Sequence, residues 1–193
     1  MNLNYNKNNI ENINKGFTII ETLVAIAILM ISIAGPLTIA HKGLLAATYA
    51  HDTVTASYLA QDAMEYIKNV RDNNIIFHSN LTGTWLYGMT GCTFSTPCSV
   101  DTLSGNPTVP NGISPCLGPS CLLSISANGY KPYISGEVAI TQFSRFFYLG
   151  DNQNNLTNVN NPNETKLTVT VSWNNGTVNN VVTYENEIFN TKR

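Results

Sequence analysis

From Thr22 to Ala40 the chain runs through nineteen residues without a charged side chain. A helix of about 20 apolar residues, rising about 1.5 Å per residue, crosses the roughly 30 Å hydrocarbon core of a bilayer. This run therefore predicts a membrane-spanning helix near the N-terminus. Glu21 stands directly before it. A carboxylate near the bilayer centre costs about 2.5 to 3.5 kcal/mol on insertion scales, so Glu21 calls for a specific partner.

The rest of the 193 residues leaves room for one soluble domain large enough to bury a core. Charged residues make up 11% of the chain, and Asn, Thr and Ser fill most of the polar positions. With a net charge of -2 there is no electrostatic case for nucleic acid. Residues 1–16 are polar and Asn-rich. An ordinary secretory signal has its apolar block ahead of the cleavage site, and here the apolar block follows Gly16. Lys7 and Lys15, against Glu11, bias the N-terminus to the cytoplasmic side and send the C-terminal bulk outward.

The stretch Gly16-Phe17-Thr18-Ile19-Ile20-Glu21-Thr22-Leu23-Val24-Ala25-Ile26-Ala27-Ile28-Leu29 resembles the N-terminal processing motif of type IV pilins and of the pseudopilins of type II secretion. The resemblance implies cleavage between Gly16 and Phe17 by a membrane aspartyl peptidase, the prepilin peptidase, which also methylates the new N-terminus at Phe17. It also makes Glu21 the assembly glutamate. The chemistry is self-consistent: the cut would create an ammonium on Phe17, one helical turn from Glu21. In a staggered array the carboxylate of one subunit can meet the ammonium of the next, and pairing cancels costs that each charge would carry alone.

Gly35-Pro36 interrupts the run, and proline removes a backbone hydrogen bond, so a kink or locally melted segment is expected there. Beyond it Leu59, Ala63, Ile67 and Val70 recur at helical spacing, while Gln61, Glu65, Lys68 and Asp72 fall on the other side. One long helix from about Phe17 to Asp72 is predicted, with Asn73-Asn74 as its stop. The expected organisation is a leader at 1–16, a transmembrane and assembly helix at 17–40, an amphipathic continuation at 41–73 and a globular head at 74–193.

Within the head, 75–131 is aperiodic and rich in Gly and Pro, and reads as a loop. Trp85, Tyr87 and Phe94 are expected to pin it to the domain. Cys92, Cys98, Cys116 and Cys121 fit two short disulfide loops, Cys92 with Cys98 and Cys116 with Cys121, although four cysteines allow three connectivities. A tetrahedral zinc site is the competing reading; no histidine lies in the cluster and neither pair has a two-residue gap. Strands are expected at Tyr133–Thr141, Phe143–Leu149, Lys166–Trp173 and Val178–Phe189, the last two joined by a hairpin turn at Asn174-Asn175-Gly176. The strands at 133–189 must cover an apolar face, and the amphipathic half of the helix matches them in length. The fold class is thus α+β, a long N-terminal α-helix packed on an antiparallel β-sheet head, as in pilins.

His41, His51 and His78 are too far apart for a metal-binding pair, so no metal and no cofactor is expected. Asp151-Asn152-Gln153-Asn154-Asn155 alternates oxygen ligands but lacks the glycine and terminal glutamate of a calcium loop. Asn80, Asn155, Asn163 and Asn175 begin sequons that an Asn- and Thr-rich chain produces by chance. No catalytic constellation stands out, and the chain reads as a non-enzyme. The resemblance implies a minor pilin or pseudopilin in the inner membrane, with an extracytoplasmic head. Its implied partners are the peptidase, other pilin subunits, an inner-membrane assembly platform and lipid. The alternative is a single-pass membrane-anchored binding module that keeps its leader and does not polymerise.

Overall fold

The computed structural model describes residues 16–77, 84–103, 112–133, 140–153, 155–157, 161–176 and 178–191. His78, Asn80, Asn154 and the leader ahead of Gly16 lie outside them. The chain divides into two compact units, Met1–Thr48 and Tyr49–Arg193. One helix, α1 (Ile19–Phe77), contributes to both.

In the first unit every residue from Gly16 to Thr48 is exposed. The apolar window has none of its surface buried, and by length and composition it is able to cross a membrane. Its hydroxyls are turned inward on their own helix: Thr22 donates to the Ile19 carbonyl at 2.8 Å, Ser32 to Leu29 at 2.8 Å and Thr38 to Ala34 at 2.9 Å. Such local bonds leave no polar hydrogen seeking solvent, which suits an apolar surrounding. The helix continues through Gly35 and Pro36 with no melted turn. Ser32 and Thr38, on either side of the proline, bond to the carbonyls of Leu29 and Ala34.

In the second unit the helix behaves differently. Asp52, Ala56, Leu59, Ala60, Ala63, Met64, Ile67, Val70 and Asn74 are buried, a stripe at spacings of three and four. This contains the four apolar positions expected from the sequence. The stripe shares one core with the inward residues of an antiparallel sheet. The strands are β1 (Cys98–Val100), β2 (Ile113–Pro115), β3 (Leu122–Ser126), β4 (Gly129–Pro132), β5 (Ile140–Leu149), β6 (Glu164–Asn174) and β7 (Asn179–Phe189). β5 is the hub. One side pairs with β6, which pairs with β7; the other side pairs with β3 near its start and β1 near its end, and these carry β4 and β2.

Several expectations need correction. β5 is continuous from Ile140 to Leu149, across the break expected at Gln142, because Phe143, Arg145, Phe147 and Leu149 keep one unbroken inward parity; most of the strand expected at Tyr133–Thr141 lies outside the described residues. Four short strands lie within the stretch expected to be loop; the pairing of β1 and β3 to β5, with β2 and β4 carried on them, supplies the order that local periodicity does not reveal. The helix passes through Asn73-Asn74 to Phe77. Asn74, 1% exposed, donates from Nδ2 to the carbonyls of Trp85 at 3.3 Å and Tyr87 at 2.9 Å, so tertiary bonds override its local preference for a helix end. Trp85 is buried as expected, but Tyr87 and Phe94 are about half exposed; Leu86 and Met89 fill the core in their place. The hairpin forms with Gly176 at φ 88°, a left-handed conformation that glycine tolerates.

Candidate functional site

The N-terminal end of α1 is built around Thr18. Residues 16–18 are not helical and the helix begins at Ile19. Thr18 caps it: the Thr18 hydroxyl accepts the Glu21 backbone N–H at 3.3 Å, and the Thr18 carbonyl accepts the Thr22 N–H at 3.2 Å. Thr-x-x-Glu is the pattern of a capping box, in which an acid in the first turn also faces the positive end of the helix dipole. The Gly16–Phe17 bond lies just outside the helix. Phe17 is 81% exposed, and the space where Gly16 would carry a Cβ is open.

Glu21 is exposed, and among the described residues its carboxylate has no hydrogen bond or ion pair. It is also the one ionisable residue from Gly16 to Ala40. A single acid thus stands on an apolar surface with no partner among the described residues.

Residues 12–35 match the family model described as the prokaryotic N-terminal methylation motif. The match supports a type IV pilin-like or pseudopilin assignment. It covers the apolar half of the helix and stops at Gly35, short of the head. Comparison with curated proteins and with solved structures gives no match. The pilin-like plan of the head therefore rests on its own architecture, a helix laid on an antiparallel sheet.

The cysteines form two bridges, Cys92–Cys98 and Cys116–Cys121, and none is free. The loops they close are adjacent, since Cys98 pairs with Pro115 across β1 and β2 and the Cys116 N–H donates to the Pro97 carbonyl at 2.8 Å. Both pairs being bridged, zinc has no thiolates there. At Asp151 the carboxylate accepts three bonds from its own loop, from Gln153 N, Asn155 N and Asn155 Nδ2, each at 2.9 Å. These bonds, led by the Asn155 side chain, hold the carboxyl below its ordinary range. Its oxygens are occupied by amide donors that a cation would have to displace. Among the described residues no cluster of three or more His, Cys, Asp or Glu could hold a metal.

The residue that sequence reading missed is Arg145. It is fully buried on β5, donates from Nη1 to the Leu59 carbonyl at 3.0 Å and to Asp62 Oδ2 at 2.8 Å, and from Nη2 to the Val100 carbonyl at 2.9 Å. Thr102 donates to the same Asp62 oxygen at 2.7 Å. One guanidinium thus ties helix, β5 and β1 together. Burial pulls its pKa down, and the hydrogen bond and charge of Asp62 oppose that. The signal was present in the strand alternation, which puts Arg145 on the same face as Phe143 and Phe147.

Proposed function

We propose that the chain is a structural subunit, a minor pilin or pseudopilin, of a type IV pilus-like filament. It is inserted in the inner membrane, cut after Gly16, methylated at Phe17 and assembled through its N-terminal helix. The observation that carries this is Glu21, without a partner among the described residues, on a fully exposed apolar helix within a segment that matches a methylation motif. Hydrolysis of the Gly16–Phe17 peptide would free an α-amino group on Phe17. The Glu21 carboxylate of a neighbouring subunit is its natural counter-charge, since each is costly in an apolar layer and the pair is less so. Exposed Ile and Leu side chains between Ile19 and Leu45 then pack against lipid before assembly and against other helices after it.

Intact mass of membrane-extracted protein tests the reading. A species starting at N-methylated Phe17 is expected. An intact leader, with the protein monomeric in detergent, would instead favour an anchored binding module. Glu21→Ala is expected to leave the head folded and block filament formation; normal filaments from this variant would sink the proposal.

A further inference from the structure

Among the described residues the sheet has three free edges, and they are not alike. β2 ends in Pro115 and β4 in Pro132, and both are short. Proline and brevity are two ways by which proteins blunt an edge against unwanted pairing. β7 has neither. It pairs with β6 through eleven successive residues with no register shift, contains no proline, and among the described residues has no strand on its other side.

The register identifies which backbone groups are free. Asn190 N–H donates to Asn163 O at 2.8 Å, and Asn175 N–H to Val178 O at 3.5 Å, at the two ends of the same ladder. Both place the even-numbered residues of β7 in hydrogen-bonded pairs with β6. The N–H and C=O groups of Val181, Thr183, Glu185 and Glu187 therefore point to the open edge. On the outer sheet face these residues present an exposed valine, a threonine and two glutamates, Glu185 already holding Lys166 at 2.7 Å. The like charges on Glu185 and Glu187 keep the edge from acidic strands and favour basic ones.

The geometry points to β7 as a strand-addition site for an extended segment of a partner protein with basic side chains at two alternate positions followed by β-branched ones. Main-chain bonds along the edge give the affinity and the charge pattern gives the register. The site is independent of Gly16 processing and stands or falls separately from the filament reading.

The test uses the full chain in detergent and the fluorescent peptide Lys-Thr-Lys-Val-Thr-Val-Val. Saturable binding is expected, lost with the same peptide N-methylated at alternate residues. Thr183→Pro removes an outward N–H and no ladder bond, so it is expected to keep the thermal midpoint while weakening binding at least about ten-fold. Replacing Glu185 and Glu187 together by Lys is expected to switch preference to the peptide with Glu in place of Lys. Binding that is absent in the native chain, or unchanged by N-methylation or by Thr183→Pro, overturns the proposal.

Discussion

The two stretches of α1 have similar backbones and opposite surfaces. From Ile19 to Thr48 large apolar side chains are exposed all round and one acid has no partner among the described residues; from Asp52 to Asn74 a narrow stripe of alanines and larger apolar side chains is buried against a sheet. The second stretch buries its apolar stripe within its own chain and pairs the buried Asn74 amide there, although the buried Tyr66 hydroxyl has no partner among the described residues. The first is stable only when something outside the chain covers it. Helical pattern therefore reports where the partner is: a stripe implies a partner in the same domain, an all-round apolar surface implies lipid or other helices.

The sharpest way to break this contrast is to attack the tie on the satisfied side. Arg145→Ala leaves the Leu59 and Val100 carbonyls without their guanidinium partner and Asp62 without its cation. Removing one partner of a buried ion pair costs about 3 to 5 kcal/mol, and half-exposed Asp62 puts the expectation at the lower end. Denaturant unfolding followed by tryptophan fluorescence measures it, since Trp85 and Trp173 are both buried in the head. An unchanged midpoint would mean that the guanidinium tie is energetically idle.

A matched pair of substitutions comes next. Ile67 is 0% exposed and Ile28 is 63% exposed. Ile67→Ala is expected to lower head stability by about 3 kcal/mol through lost transfer energy and a cavity. Ile28→Ala is expected to leave the same unfolding signal unmoved and to act on membrane retention or filament yield. Equal effects on unfolding would show that the two stretches do not differ as described.

How much of this could be read from sequence follows from how local each signal is. The segment that matches the methylation motif was legible because Gly16, Phe17 and Glu21 are set against a contiguous run. The stripe of Leu59, Ala63, Ile67 and Val70, the β6–β7 hairpin and the disulfide pairing are short-range as well. Arg145 was not legible as a tie, because its partners lie on α1 and β1, and no spacing announces a contact between residues 59 and 145. Asn74 failed for the same reason in reverse: its local preference points to a helix stop, and only carbonyls on the following turn make it a buried anchor. The strands β1 to β4 are too short to show a period; β1 and β3 exist because β5 offers them an edge, and β2 and β4 because β1 and β3 do.

Asn74→Ala gives a smaller effect on the satisfied side. It unpairs two carbonyls near the end of α1, and an unsatisfied buried polar group costs about 1 to 3 kcal/mol. Tryptophan fluorescence is expected to report it directly, because one of the two carbonyls belongs to Trp85. If the midpoint holds, the helix end is fixed by Ile75 and Val70 packing instead.

The smallest effect sharpens the comparison between two exposed acids, Glu21 with no partner among the described residues and Asp151 with three donors. The donors lower the folded-state pKa of Asp151. A carboxyl whose folded pKa is depressed adds stability that is complete above its unfolded pKa, about 3.9, and that drains away as pH falls through the lower folded value. The stability difference between the native chain and Asp151→Asn is therefore expected to be flat from about pH 7 to 5 and to shrink below about pH 4. A difference that grew on acidification would mean that the carboxylate is strained by its loop, and the three bonds would then be a consequence of the turn at Gly150 and not its cause.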